Sequence, residues 1–223
     1  MEKKPKWHLI SQVWLEDVGF LVLFLILFVT VFFLPIVVSY VDNSYVLVNV
    51  ALLILFFSGL FSGKGLAWSW ILHVLFWGYV LLKLGRFWMG WDQFYIAELV
   101  IALVYTVILV ILNLRLLFKD KEINFYRIVG GINVYLLVSI YGALFLLFLS
   151  QFIQPVLLGE VALSQTDEDF AIFMYYSMVS VTTVGFGELH AAEMIGKQLS
   201  VFLSSFGILY PAVVIAQLIS KKK

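Results

Sequence analysis

The chain alternates long apolar runs with short polar breaks. Six runs, 18–40, Tyr45–Ser62, 66–82, 94–117, 132–152 and 196–220, are read as membrane spans. A hydrocarbon core of about 30 Å asks for roughly 20 apolar residues per helix. Unpaired backbone is not tolerated in lipid, so all six are expected to be helical. The second and third runs are short. Ser62, Gly63, Lys64 and Gly65 lie between them and predict a tight helical hairpin.

Composition strengthens this picture. Apolar residues make up 63% of the 223 positions, charged residues 13%, and the mean hydropathy is +1.05. A soluble domain carries about a quarter charged residues. The expected environment is therefore the lipid bilayer, and the fold class an all-α membrane protein. The net charge is zero, which gives no electrostatic reason for nucleic-acid binding. There is no Cys, so disulfides, thiol catalysis and Cys-ligated metals are excluded.

Residues 1–17 carry Lys3, Lys4 and Lys6, then Trp7, Ile10 and Trp14 at helical spacing. That pattern suits a short helix in the interface, indoles at headgroup depth and lysines on anionic lipid. The first apolar run exceeds the 7–15 residues of a signal peptide, so it is read as a span. Lys3, Lys4, Lys6, Lys64, Arg115, Lys119, Lys121, Arg127, Lys221, Lys222 and Lys223 all fall on one side if the N-terminus is inside. Lys83, Arg86 and Lys197 fall on the other. The positive-inside rule thus places both termini in the cytoplasm. Pairing of Lys83 and Arg86 with Asp92 and Glu98 is the expected reason for the exception. Glu98 is read as part of an interfacial ion pair, and His73 as a packing histidine with proton sensing as the rival.

The fourth run holds Glu98 and no basic residue until Arg115 at its inner end. One charge crossing the membrane yields about 2.3 kcal/mol per 100 mV, so steep voltage dependence needs several. Weak or absent voltage dependence follows. Residues 118–131 mix Lys119, Asp120, Lys121, Glu122 and Arg127 with Ile123, Phe125 and Tyr126, an amphipathic linker. Gly130 and Gly131 mark either a helix break or a close contact. Gly142 and Ala143 suit close helix approach. Pro155 is expected to end the fifth span. Thr166, followed by Asp167, Glu168 and Asp169, reads as a capped helix start. The same acids would make an outer mouth negative.

The most specific stretch is Thr182, Thr183, Val184, Gly185, Phe186, Gly187 and Glu188. Glycines at alternate positions let carbonyls face one way, because Gly reaches φ > 0 without steric cost. T-T-V-G-F-G resembles the selectivity filter of tetrameric potassium channels, and residues 132–220 resemble the pore unit of small prokaryotic members. The resemblance implies that carbonyls of Thr183, Val184, Gly185, Phe186 and Gly187 replace the hydration shell of a potassium ion. Thr182 and Glu188 would support them. It implies that 170–182 is a re-entrant pore helix between the fifth and sixth spans, its C-terminus aimed at a central cavity and favouring a cation there. Tyr175 and Tyr176 stand where the family carries an aromatic cuff. Phe186 lacks the hydroxyl of the usual filter tyrosine. Glu188 replaces the usual Asp, and either reaches Tyr176 or stays in solvent. Gly207 matches the family's inner-helix hinge glycine, with a packing glycine as the equal alternative, and Pro211 predicts a kink.

One filter segment per chain implies a homotetramer. The domain plan is an interfacial segment 1–17, a four-helix peripheral unit 18–117, the linker 118–131 and a pore domain 132–223. The expected function is passive potassium conduction, with potassium as the permeant ion and no organic cofactor. Two readings compete: a weakly selective monovalent cation channel, and a non-conducting scaffold or sensor subunit. An enzyme is the least expected class, because no His/Asp/Glu group is placed at a common depth. With the chain stopping at Lys223, a ligand gate is expected in the membrane part, on a partner chain or nowhere.

Overall fold

The computed structural model describes residues 19–41, 44–62, 69–90, 92–118, 125–164 and 166–220. The interfacial segment 1–17, the 63–65 turn, Lys119 to Glu122 and the three C-terminal lysines lie outside them. The described fold is helical apart from one two-stranded ribbon.

Helix α1 spans Gly19–Val38. It widens into a π-helical turn at Val29–Phe33, where the Leu34 amide bonds back to the Val29 carbonyl. Pro35 follows at once and lacks an amide donor, so a widened turn just ahead of it absorbs the break in the ladder. Helix α2 is Tyr45–Ser62 and helix α3 is Ser69–Met89. A 3-10 turn, Asp92–Phe94, leads into α4, Tyr95–Phe118. Helix α5 is Phe125–Leu149. The ribbon pairs β1, Leu157–Leu158, antiparallel with β2, His190–Ala191. Between its strands lie a 3-10 turn at Asp167–Asp169, helix α6 at Phe170–Val181, and the loop 182–188. Helix α7, Met194–Ser220, ends the described chain.

Among the described residues, five helices are long and apolar enough to cross a membrane: α1, α3, α4, α5 and α7. Helix α2, with 18 residues, rises about 27 Å at 1.5 Å each and falls just short. Of the two runs expected to be short, α2 stays the shorter and α3 is long enough to span.

Three boundaries move. Helix α3 runs past Lys83 and Arg86 to Met89 instead of stopping at residue 82. Those charges find partners inside the bundle, so they do not end the helix. Helix α5 begins at Phe125, seven residues before the expected 132, so 125–131 is helix and Gly130 and Gly131 do not break it. Gly130 is a close contact, since a Cβ there would sit 3.0 Å from the Phe20 ring. Helix α5 also ends at Leu149, before Pro155.

The core is continuous across the chain. Within the first four helices it centres on Phe56, whose ring lies 4.6 Å from Tyr105 and 5.0 Å from Tyr79. The Tyr105 hydroxyl donates to the Phe56 carbonyl at 2.7 Å, which satisfies a buried polar group. Helix α5 is the axle of the second half. It packs on α4 and α6, touches α7, and is tied to α1 by Asn133, which donates to the Phe20 carbonyl at 2.9 Å. Helix α1 also rests on α6.

Candidate functional site: the loop after helix α6

Helix α6 is short, 12 residues, and its second half is gripped by hydroxyls. Ser177 donates to the Ser139 carbonyl of α5 at 2.6 Å. The Tyr176 and Ser200 hydroxyls share a hydrogen bond of 2.6 Å. At the C-terminal end, Ser204 of α7 donates to the Ser180 carbonyl at 2.9 Å, and Tyr135 of α5 donates to the Val181 carbonyl at 3.1 Å. Close approach makes these bonds reachable. A Cβ at Gly142 would overlap Ser177 and stand 2.9 Å from Leu203, and one at Gly207 would collide with the Val181 carbonyl. Gly142 is therefore the contact glycine that its neighbours in sequence suggest. Gly207 packs directly on the Val181 carbonyl, and α7 runs on through Pro211 as one helix.

The loop leaves α6 at Thr182, whose hydroxyl bonds back to the Met178 carbonyl at 2.7 Å. Its backbone then alternates. Thr183, Gly185 and Gly187 have φ of 60°, 55° and 90°, and no residue between them does. Such alternation turns successive carbonyls to a common side. The two glycines adopt it freely. Thr183 adopts the left-handed region with a β-branched side chain, which is costly unless the surroundings hold it. The hold comes from the Thr183 amide, bonded to the Ser180 carbonyl at 3.1 Å, and the Val184 amide, bonded to the Val179 carbonyl at 3.1 Å. Among the described residues, no hydrogen bond reaches the carbonyls of Thr183, Val184, Gly185, Phe186 or Gly187. The side chains of 182–188 are exposed in the single chain, Val184 by 53% and Phe186 by 71%. A cavity of about 280 Å³ lies behind the loop, lined by Tyr176, Thr183, Gly185, Ser200 and Ser204.

The support residues are arranged differently from both expected alternatives for Glu188. Its carboxylate accepts from the Tyr175 hydroxyl, not from Tyr176. Tyr175 stands on the exposed side of α6, beside the loop, whereas Tyr176 is buried and engaged by Ser200. Phe186 stacks on no other ring among the described residues, so a single chain does not brace it against the tyrosine pair.

The acids ahead of α6 also differ from expectation. Thr166 does cap the turn, accepting from the Glu168 amide at 3.3 Å. Asp167 and Asp169, however, are buried, so they do not charge an outer mouth. Asp169 accepts from the Ser164 amide and hydroxyl, both at 2.9 Å. Asp167 faces the four-helix unit. It accepts from Arg86, from Tyr95 at 2.9 Å and from Asn49 at 3.1 Å, with Lys83 3.5 Å away. Burial alone would raise the Asp167 carboxyl. The two cations and the hydrogen bonds outweigh it and hold that carboxyl below the ordinary aspartate range.

Glu98 completes this cluster, paired with Lys83 and lying 3.3 Å from Arg86. The expected pairing of Lys83 and Arg86 with Glu98 is present, with Lys83 and Glu98 buried inside the bundle, and Asp167 takes the place expected of Asp92. Glu98 and Asp167 thus share the same two cations. Among the described residues, no group of three His, Asp or Glu could hold a metal. His73 is on the exposed side of α3, not in the core.

Comparison with known proteins bears on the second half of the chain. No curated protein and no solved structure matches it. Residues 134–221, from α5 through α6 and the loop to α7, match the model of the protein family described as ion channel. This stretch is similar to an ion-channel domain, which supports a passive, membrane-embedded transport function.

Proposed function

We propose that the chain is a potassium-selective channel in which four copies surround one pore and 182–188 forms the filter. One observation carries the reading. Positive φ recurs at Thr183, Gly185 and Gly187 within T-T-V-G-F-G, and its row of carbonyls meets no donor among the described residues. At membrane depth, such carbonyls need an ion or water. Four copies of the loop around an axis would give successive rings of oxygens, the arrangement that replaces a potassium hydration shell. The permeant ion would sit at Thr183, Val184, Gly185 and Phe186. The open face of α7 gives the copies a surface to meet on.

In this reading residues 132–223 form the pore domain and α1 to α4 a peripheral unit. Both termini are cytoplasmic in a plasma membrane, and the loop faces outward. Conduction is passive and not steeply voltage-dependent, because α4 carries no basic residue before Arg115. A weakly selective cation channel is the second reading. It is favoured by one feature, the engagement of Glu188 by Tyr175, which leaves Phe186 unbraced.

The test is a reversal-potential measurement on the purified chain in a planar bilayer, potassium on one side and sodium on the other. A strong shift toward the potassium potential is expected. Reversal near zero would replace the first reading by the second. Absence of any current, with the protein shown to be folded and inserted, would remove both.

A further inference from the structure

We infer that Asp167 is a positioning residue for the filter loop, through which the α1–α4 unit acts on conduction. This rests on the filter reading above, and it assigns work to a charge cluster that conduction itself does not use.

The reasons begin with what Asp167 does not do. Thr166 already caps the turn before α6, so helix initiation does not explain the Asp167 carboxylate. Only 3% of the residue is exposed, so it does not attract ions from solvent. Its contacts come instead from three separate helices: Asn49 of α2, Lys83 and Arg86 of α3, and Tyr95 of α4. The Arg86 guanidinium also lies 4.4 Å from the centre of the Tyr95 ring, which fixes its plane.

The cluster balances, with two cations against two acids, and each cation reaches both acids. A well-packed apolar set holds helices together at least as firmly as a buried ion network. What the network adds is direction, because each hydrogen bond fixes an angle as well as a distance. A shift of α3 against α4 changes how Lys83 and Arg86 divide between Glu98 and Asp167. It therefore moves the start of α6.

Helix α6 transmits that movement. It is about 18 Å long at 1.5 Å per residue, short enough to move as one rod. Its far end is where the Ser180 and Val179 carbonyls hold the Thr183 and Val184 amides, and so hold the costly backbone at Thr183. Asp167 touches no atom of the filter. It acts only through the rod.

The test compares the full chain with Asp167→Asn, Asp167→Glu and the double variant Lys83→Met/Glu98→Gln, which keeps the Arg86 and Asp167 pair. Two readouts are taken: the potassium-to-sodium permeability ratio with the decay of sustained current, and amide exchange of 182–188. For Asp167→Asn we expect about a tenfold change in permeability ratio or decay rate. Exchange in the loop should accelerate by about tenfold while the buried amides of α5 stay protected. Asp167→Glu should recover most of both, and the double variant should stay within about twofold of the parent. A folded Asp167→Asn protein with unchanged loop exchange and unchanged permeation overturns the inference. If Asp167→Asn also loses α5 protection, Arg86→Lys decides by the same readouts, because it keeps the charge and loses the planar fork. If the parent passes no current, the channel reading fails, and loop exchange alone then supports or overturns the mechanical link.

Discussion

Helices α5 and α7 are close to equal as sequences and opposite as structures. Their spanning segments are 25 and 24 residues long, with mean hydropathies of 2.2 and 2.0. Yet 72% of the α5 window is buried and 11% of the α7 window. Helix α5 meets α1, α4 and α6 inside one chain. Helix α7 closes on α6 through Ser200, Ser204 and Gly207, and leaves Phe202, Ile208, Leu209 and Val213 open. In lipid, apolar exposure carries no penalty, and packing decides which faces meet. Hydropathy therefore cannot separate a helix completed within the chain from one completed by other copies and a pore. In the proposed channel, α5 belongs to the fold of the single chain and α7 to assembly and permeation.

The strongest way to break this division is Gly207→Ala, where α7 meets the backbone of α6. The new methyl meets the Val181 backbone, which cannot rotate away. We expect about 3 kcal/mol of destabilisation, the upper range of overpacking, measured by unfolding in mixed micelles. Next is Leu144→Ala in α5, fully buried, with an expected loss of about 2 kcal/mol in the same assay. The matched change on the other helix, Leu209→Ala, sharpens the comparison. Its side chain is 62% exposed, so chain unfolding should move by less than about 0.5 kcal/mol, while the oligomer seen by crosslinking weakens. Equal stability losses for Leu144→Ala and Leu209→Ala would end the division. The smallest effect is expected from Arg115→Gln at the inner end of α4. The steepness of any voltage response should not change, because Arg115 sits at the end of α4 and no basic residue precedes it on that helix.

Much of the loop was legible in the sequence, because the chemistry is local. Gly185 and Gly187 at alternate positions specify where the backbone turns left-handed. The same alternation, counted back two residues from Gly185, reaches Thr183, a position that residue preference alone hides. The cap at Thr166 was legible for the same reason. The charge cluster was not. Arg86 and Asp167 are 81 residues apart, and an acid two residues after a break reads as a cap or a surface charge until its partner is known. The end of α3 failed with it, because Lys83 and Arg86 look like the edge of a span unless their acids are inside the bundle. Glu188 was expected to reach Tyr176 or stay in solvent, and the exposed neighbour, Tyr175, takes it instead. Which of two adjacent tyrosines faces the loop depends on the rotation of α6, and that is set by Ser177 against Ser139.

The hydroxyls on the last turn of α6 have an electrical consequence. A helix C-terminus attracts cations because its final carbonyls are unsatisfied. Here the Met178 and Val179 carbonyls receive the amides of Thr182 and Val184, the Ser180 carbonyl receives Thr183 and Ser204, and the Val181 carbonyl receives Tyr135. All four are occupied by donors whose partial positive charge offsets the dipole. In the proposed channel the energy well below the filter is therefore shallow. A blocking cation entering from that side should bind weakly, and the resting place of the ion shifts upward, toward the oxygens of Thr183.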